Sequence, residues 1–404
     1  MVAGAYSEFL LEYEKINGAD PGYNSGKLPG THILRTLGAA IMPLATAKDE
    51  SIGGLSRRIA TAAIFGARGT TGVILSEMFR GLAKGLAGKY SATSSEFGKA
   101  FQYGILFAQR ALPEHPHRPF IIAAKAVAKG AYKAVRANLP ISEILTAAIQ
   151  AGQSADAANA RGSAGEMIMF TFLRGCLKGL DGNFVSPAVS LSLGLTAGQD
   201  NLPDPRLDVV RPYCVTFKIM NTAIDTAVPE KQLKEFGHFT LVEREDKCLR
   251  VHLHTDEVGK VMESAIGWGP LESVRIINMA ESHVLTAHDA LVPVAALGVA
   301  ADDNEAERLT KGGASLILRA NENNSPSVAE LVSAVHSDLA ACYVMIAPRR
   351  DYWLAFRQAK RLLGDRVEPV LCVDSTEQLT ALDAFTTDVS AAENAKNMLK
   401  AVGR

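Results

Sequence analysis

Seven residues, Gly66-Ala67-Arg68-Gly69-Thr70-Thr71-Gly72, stand directly before a stretch whose apolar positions recur at helical spacing. Glycines let a backbone curl so that its amides converge. A helix start adds N–H groups with no intrahelical partner and the positive end of a dipole, so the two together form a cradle for phosphate. Gly66, Gly69, Thr70, Thr71 and Gly72 are therefore candidate ligand-binding residues; the plain alternative is a helix-entry turn with Thr as its cap. A second group is Cys214, His252 and His254. On a strand alternate residues share a face, so the two histidines would lie about 7 Å apart on one side. One thiolate with two imidazoles suits Zn²⁺. Cys248, His238 and His283 are candidates for a fourth ligand. Without metal, the same residues read as polar positions on a solvated strand face and a buried Cys. A third group, Gly18 to Asn24, contains Asp20 and Asn24 and reads by itself as an Asp-Pro-Gly turn. His115 and His117, flanking Pro116, read as solvated loop residues. Arg349 and Arg350 follow an apolar run where a parallel sheet often presents ligands, but they read first as a solvated pair. Trp268 and Trp353 read as packing residues.

The elements that must position these groups fall into three kinds. From Ser7 to Gly182 the chain is rich in Ala, Leu and Ile at helical spacing. In Thr71 to Leu86, Ile74, Met78, Phe79, Leu82 and Leu86 share one helix face. Like patterns cover Gly98–Leu112, Phe120–Ala137, Ile141–Ala158 and Gly165–Leu180, and together they predict an all-α bundle or helical barrel over residues 1–185. Pro187, Pro203, Pro205 and Pro212 break the pattern, so 186–212 reads as a linker. Residues 213–288 mix types. Strands are predicted at Tyr213–Ile219, Phe239–Glu243, Cys248–His254 and Val274–Asn278, with helices at Pro229–Phe236 and Val258–Trp268, a small α+β domain. Residues 289–404 alternate strands (292–299, 314–318, 342–346, 369–373) with helices (304–311, 327–336, 352–363, 391–402), as parallel βαβ units do.

Bulk properties narrow the setting. Lys and Arg total 42 and Asp and Glu total 43 in 404 residues, for a formal charge of −1. So even a balance points to neither nucleic acid nor an anionic membrane as the main partner. No apolar run reaches the length of a membrane span. The first residues carry acids where a secretory signal carries bases, and five scattered cysteines do not form a disulfide framework, so a cytoplasmic protein is expected.

The run from Gly66 through Leu86, GARGTTGVILSEMFRGLAKGL, closely resembles the nucleotide loop of the ATP-binding subunit of bacterial fatty acid kinase. Tyr213-Cys214 to Phe217, Leu249 to Thr255 with its Val-His-Leu-His-Thr core, and Ile277 to His283 follow that family's middle domain in order. The tail is similar to its DegV-like C-terminal domain. The resemblance covers nearly the whole chain. It implies a dihydroxyacetone-kinase-like helical domain that binds ATP, zinc at Cys214, His252 and His254, and a homodimer working with a fatty-acid-binding DegV-type partner. In this family an Asp-Gly-Asp-Thr-Gly-x-Asn pattern holds Mg²⁺ against the ATP phosphates. Matched here to Gly18–Asn24, it makes Asp20 a metal ligand and Asp20 and Asn24 catalytic, with Gly18 in place of the first Asp. Ser163-Ala164-Gly165-Glu166 stands where the family tends to have Asp-Ala-Gly-Gly, and Pro119-Phe120 replaces a Gly-Thr pair.

Two functions follow from these residues. One is a kinase that transfers the γ-phosphate of ATP to a fatty acid presented by its partner, favoured by the retained glycine loop. The other is a scaffold or sensor with a degenerate magnesium site, favoured by Gly18.

Overall fold

The computed structural model describes residues 1–22, 27–48, 50–111, 118–156, 163–184, 213–233, 235–245, 248–255, 257–278, 292–320, 325–335 and 340–404. Asn24, His115, His117, His283 and the 186–212 linker lie outside them. The chain forms two compact units. The first takes Met1–Val209 together with two short segments from far along the chain, Arg319–Ala329 and Arg349–Gln358; the second takes the remainder.

The first unit is built from α1 (Val2–Gly18), α2 (Pro29–Ile41), α3 (Ile52–Phe65), α4 (Gly69–Gly85), α5 (Ser94–Ala111), α6 (Arg118–Arg136), α7 (Ile141–Asp156) and α8 (Ala164–Leu180). Each helix packs on the next and α8 returns to pack on α1, which closes the ring. Small residues make that closure tight. A Cβ on Gly4 of α1 would run into the Gly175 carbonyl of α8, and one on Gly81 of α4 would run into the backbone of Tyr103 and Gly104 in α5. Phe79 of α4 meets Phe172 of α8 edge to face, with centroids 5.9 Å apart. The helices predicted from spacing appear within a few residues of their expected limits. Those before Ile64 had no separate signal, because α1 to α3 are cut by glycines and short polar steps that blur the period.

The second unit holds two sheets. One is antiparallel, in the order β2-β3-β1-β4, from β1 (Tyr213–Met220), β2 (Gly237–Glu245), β3 (Cys248–Thr255) and β4 (Leu271–Asn278). Two helices accompany it, α9 (Ala227–Leu233) and α10 (Val258–Ile266). Val215, Phe217 and Ile219 of β1 and Leu249, Val251 and Leu253 of β3 are wholly or almost wholly buried with Val261 and Ala265 of α10. The period of two seen in the sequence is thus the core face of this sheet.

The other sheet runs β6-β5-β7-β8, from β5 (Val292–Ala300), β6 (Leu316–Arg319), β7 (Ala340–Ala347) and β8 (Val367–Leu371). β5 pairs with β7, and β7 with β8, in parallel. The helices of this stretch of chain are α11 (Asp303–Lys311), α12 (Val328–Val335), α13 (Trp353–Leu363), α14 (Ser375–Leu382) and α15 (Ala391–Ala401), of which α12 and α13 begin in the segments that belong to the first unit. α14 had no counterpart in the sequence reading. It starts from Asp374, whose carboxylate accepts from the amides of Thr376 and Glu377, a capped entry soon after β8.

Candidate functional site

The glycine segment lies where its sequence suggests, at the head of α4. Gly69 is the first helical residue and has φ +55°, a conformation open to glycine at low cost. Arg68 precedes it in extended geometry. The segment is held by α2: Thr36 Oγ1 donates to the His32 carbonyl at 2.7 Å and accepts from the Arg68 amide at 3.3 Å. A Cβ on Gly69 would run into the His32 imidazole, and one on Gly72 would run into Thr36 Oγ1. Both glycines therefore have a packing reason as well as the expected one of close approach to a ligand.

Side chains and segments from far away meet at this helix start. Thr71 Oγ1 donates to the Pro29 carbonyl at 3.2 Å, and Thr70 Oγ1 to the Asp351 carbonyl at 3.4 Å. Val328 N donates to the Ala67 carbonyl at 3.1 Å, and Arg68 forms a β-bridge with Ser327. The Arg68 guanidinium, 1 % exposed, donates to the Ser325 carbonyl. No side chain caps α4. Its first amides have no intrahelical acceptor by helix geometry, which is what an anion site requires.

Asp20 follows α1 in a turn where its Oδ1 accepts from the Gly22 amide at 2.7 Å. Asn17, 5 % exposed, was not singled out in the sequence. It caps α2, accepting from the amides of Gly30 and Thr31 at 2.8 and 3.2 Å and donating to Thr31 Oγ1 at 2.9 Å. Ser163 caps α8 by accepting from the Glu166 amide at 3.4 Å. These pieces converge. A cleft of about 50 Å³ is lined by Asp20, Pro29, Thr71, Ala164 and Gly165, with an apolar floor that includes Phe172. A second cavity among these helices, about 770 Å³, is lined mostly by apolar residues such as Leu55, Ile59, Phe101 and Leu145.

His32 was also missed. It is 4 % exposed and its Nε2 has no hydrogen-bond partner among the described residues. Burial, reinforced by the charges of Arg68, Arg35 and Arg349, holds the imidazole far below its usual range, at about 3. A histidine on an amphipathic helix gives no hint of this from sequence, because its burial and the charges of Arg68 and Arg349 come only with folding.

Among the described residues the donors a magnesium ion would need are not gathered here. Mg²⁺ takes oxygen ligands in octahedral array, and neutralising it usually takes more than one carboxylate. Among the described residues Asp20 is the one acid lining the cleft, and no acid occurs in the sequence from Pro21 to Leu28. Among the described residues no three His, Cys, Asp or Glu side chains are placed to hold a metal.

In the antiparallel sheet the backbone register pairs Cys214 of β1 with His254 of β3, and His238 of β2 with the same His254. His252, 2 % exposed, lies two residues along β3 opposite Thr216. The side chains of Cys214, His238 and His254 fall outside the description. Cys248 does not belong with them. It pairs with Met220 at the other end of β3, six residues from His254, or roughly 20 Å along an extended strand. Shared parity put Cys248 among the candidate ligands; distance removes it.

Among the described residues no helix is long and apolar enough to cross a membrane. Compared with known proteins, residues 29–159 match the DAK2 domain. Residues 211–285 match the middle domain of the FakA-like fatty acid kinase family, and 290–404 match its C-terminal domain. The DAK2 match opens at Pro29, so it includes the glycine loop and His32 but neither Asp20 nor Ser163. The chain is 24 % identical to Protein YloV of Bacillus subtilis, over 92 % of this chain and 73 % of that one. It is 23 % identical to the uncharacterized protein SERP0792 of Staphylococcus epidermidis, over 91 % and 72 %. A helical ring with a glycine loop at the head of one helix, then an antiparallel sheet, then a parallel one, coincide in order with the three matched domains. The chain belongs to the FakA-like fatty acid kinase family.

Proposed function

We propose that this chain is the ATP-binding subunit of a two-component fatty acid kinase. It works in the cytoplasm as a homodimer, with a DegV-type protein presenting the fatty acid. The observation that carries the reading is the single cleft at the head of α4. Asp20, Thr71 and Ala164–Gly165, from three separate stretches of chain, line it together. In the reaction a carboxylate oxygen of the fatty acid attacks the γ-phosphorus, the bond to the β–γ bridging oxygen breaks, and ADP leaves while an acyl phosphate forms. Phosphoryl transfer of this kind needs positioning and charge neutralisation rather than a covalent nucleophile. Gly66, Gly69 and Gly72 with Thr70 and Thr71 would hold phosphate, and Asp20 and Asn24 would border the reacting groups.

The test is calorimetry of the full chain with ATP, followed by ATP consumption with a fatty-acid-loaded partner. Binding with turnover supports the kinase; a chain that binds no nucleotide under any condition is not one. A second reading, a scaffold or sensor relative, is favoured by Asp20 being the one acid in the cleft among the described residues. ATP binding without turnover, whichever acyl partner is supplied, would select it.

The reading includes one zinc ion per chain at Cys214, His252 and His254. Register supports this, since Cys214 pairs with His254 and His252 shares that strand. His238, opposite His254, is the better fourth ligand than Cys248. The metal would be structural, tying β1 to β3. Metal analysis of untagged protein should give near one zinc per chain, lost in His252→Ala and kept in Cys248→Ala; folded, zinc-free wild type would end the idea.

A further inference from the structure

The even charge of the whole chain conceals a local imbalance. α6 carries Arg118, Lys125, Lys129, Lys133 and Arg136 and no acid. The last four, at steps of four and three, fall with Tyr132 in one stripe along the helix, and all five of these residues are exposed. The opposite side of α6 gives Ala123, Val127, Ala131 and Ala134 to the core, so the stripe faces away from the ring.

α5, which packs on α6, has a matching exposed stripe of Lys99, Tyr103, Leu106 and Arg110. Gly98, near the start of α5, lies against Val135, near the end of α6, so the two stripes run side by side. Each is about 16 Å long, and the helix axes lie about 8–10 Å apart. The one acid of α5, Glu96, is taken by Lys89 at 2.6 Å. The next acid after α6 is Glu143, in the first turn of α7. Towards α4, Arg80 and Lys84 stand over the Phe107 ring, 5.0 and 5.6 Å from its centre. Elsewhere in this unit cations find acids, as Lys178 does in Glu8 and Arg58 in Glu50. Among the described residues the cations of the two stripes have no such ion pair; Arg136 instead lies over the Tyr132 ring.

The mixture of residues narrows the partner. Protein interfaces are depleted in lysine, and here lysine supplies most of the charge. A nucleic acid would use the charge but not an exposed leucine. A bilayer with anionic headgroups uses both. Its surface attracts lysine, while tyrosine and leucine settle at the level of the headgroups. Tyr103, Leu106 and Tyr132 are 45, 38 and 47 % exposed among the cations.

We infer that the outer face of α5 and α6 docks on an anionic lipid surface, lying on the headgroups without spanning the bilayer. No residue lining the phosphate cleft belongs to α5 or α6, so the inference does not rest on the kinase reading.

Flotation of the full chain tests it, with vesicles of phosphatidylcholine alone or mixed with phosphatidylglycerol. The chain should bind the mixed vesicles at low salt, and should bind little to neutral vesicles or at high salt. Lys125→Gln, Lys129→Gln and Lys133→Gln together should weaken binding by about tenfold or more, because each lysine adds separately to the attraction. Lys396→Gln with Lys400→Gln removes exposed charge from α15 and should leave binding unchanged. Leu106→Trp should add emission that moves to the blue on mixed vesicles. Thermal melts establish that each variant folds. No binding to mixed vesicles at low salt overturns the inference, as does binding that the α6 changes weaken no more than the α15 changes. Emission from Leu106→Trp that stays fixed while the chain binds also overturns it, as does duplex DNA held by this face in preference to the vesicles.

Discussion

His32 shows how a single residue can carry a pH dependence that its own segment does not announce. In the folded chain its pKa lies at about 3, and in the unfolded chain it returns to about 6.5. A lowered folded pKa means that the unfolded chain binds the proton first as pH falls. The stability tied to the neutral ring is complete above about pH 6.5 and declines toward the folded pKa. Between about pH 7.5 and about pH 5 this one group should remove roughly 2 kcal/mol. Other groups titrate over the same range, so the measurement is a difference: urea unfolding of wild type and His32→Asn at both pH values. The gap between the two proteins should shift against wild type by about that amount at the lower pH. An unchanged gap would mean that the ring is not held neutral. The glycines of the loop were legible in the sequence and His32 was not. Gly69 and Gly72 belong to a local pattern. What makes His32 unusual is its burial, with the charges of Arg68 and Arg349 added, and only folding brings these about.

At the scale of the element, most of the helices and strands could be read because each buries a periodic face, and α8 could also be read at its start. Ser163-Ala164-Gly165-Glu166 has the Ser-x-x-Glu spacing of a capping box, and Ser163 does accept from the Glu166 amide. Its family counterpart, Asp, is an equally good cap. Ser163 thus keeps the helix entry that an Asp there would give, whatever it does to the chemistry. Ser163→Ala should cost about 1 kcal/mol, read as a lower melting temperature, while Ser163→Asp should match wild type or exceed it through the helix dipole. Equal melting of Ser163→Ala and wild type would show that the bond contributes nothing. The antiparallel sheet marks where such reading stops. Strand identity and parity were visible, but which residue faces which was not. Register came from pairing β1 with β3, and it separates His254, opposite Cys214, from Cys248, opposite Met220.

At the scale of the whole molecule, the stretches that the sequence divides and the bodies that fold do not coincide. Composition shifts near 185 and 213, and family matches run 29–159, 211–285 and 290–404. Yet the first compact unit reaches into the last of these for Arg319–Ala329 and Arg349–Gln358. The Arg68–Ser325 bond spans 257 positions, a separation no local pattern reports. These segments complete the backbone hydrogen bonding of the glycine loop, so the loop should depend on them. Val328 offers a clean probe. It is the first residue of α12, where proline fits the helix, and its N–H goes to the Ala67 carbonyl. Val328→Pro should therefore keep α12 while leaving the buried Ala67 carbonyl without that donor, at a cost of roughly 1–3 kcal/mol. Ala67 is fully buried, so water is a poor substitute. Hydrogen exchange in peptides covering Gly66–Phe79 should quicken by about tenfold or more relative to Val328→Ala, the control for the lost side chain, while peptides of β1 and β3 stay as in wild type. Equal protection of Gly66–Phe79 in the two variants would mean that the loop is held by α2 alone, through Thr36, and that the distant segment only rests beside it.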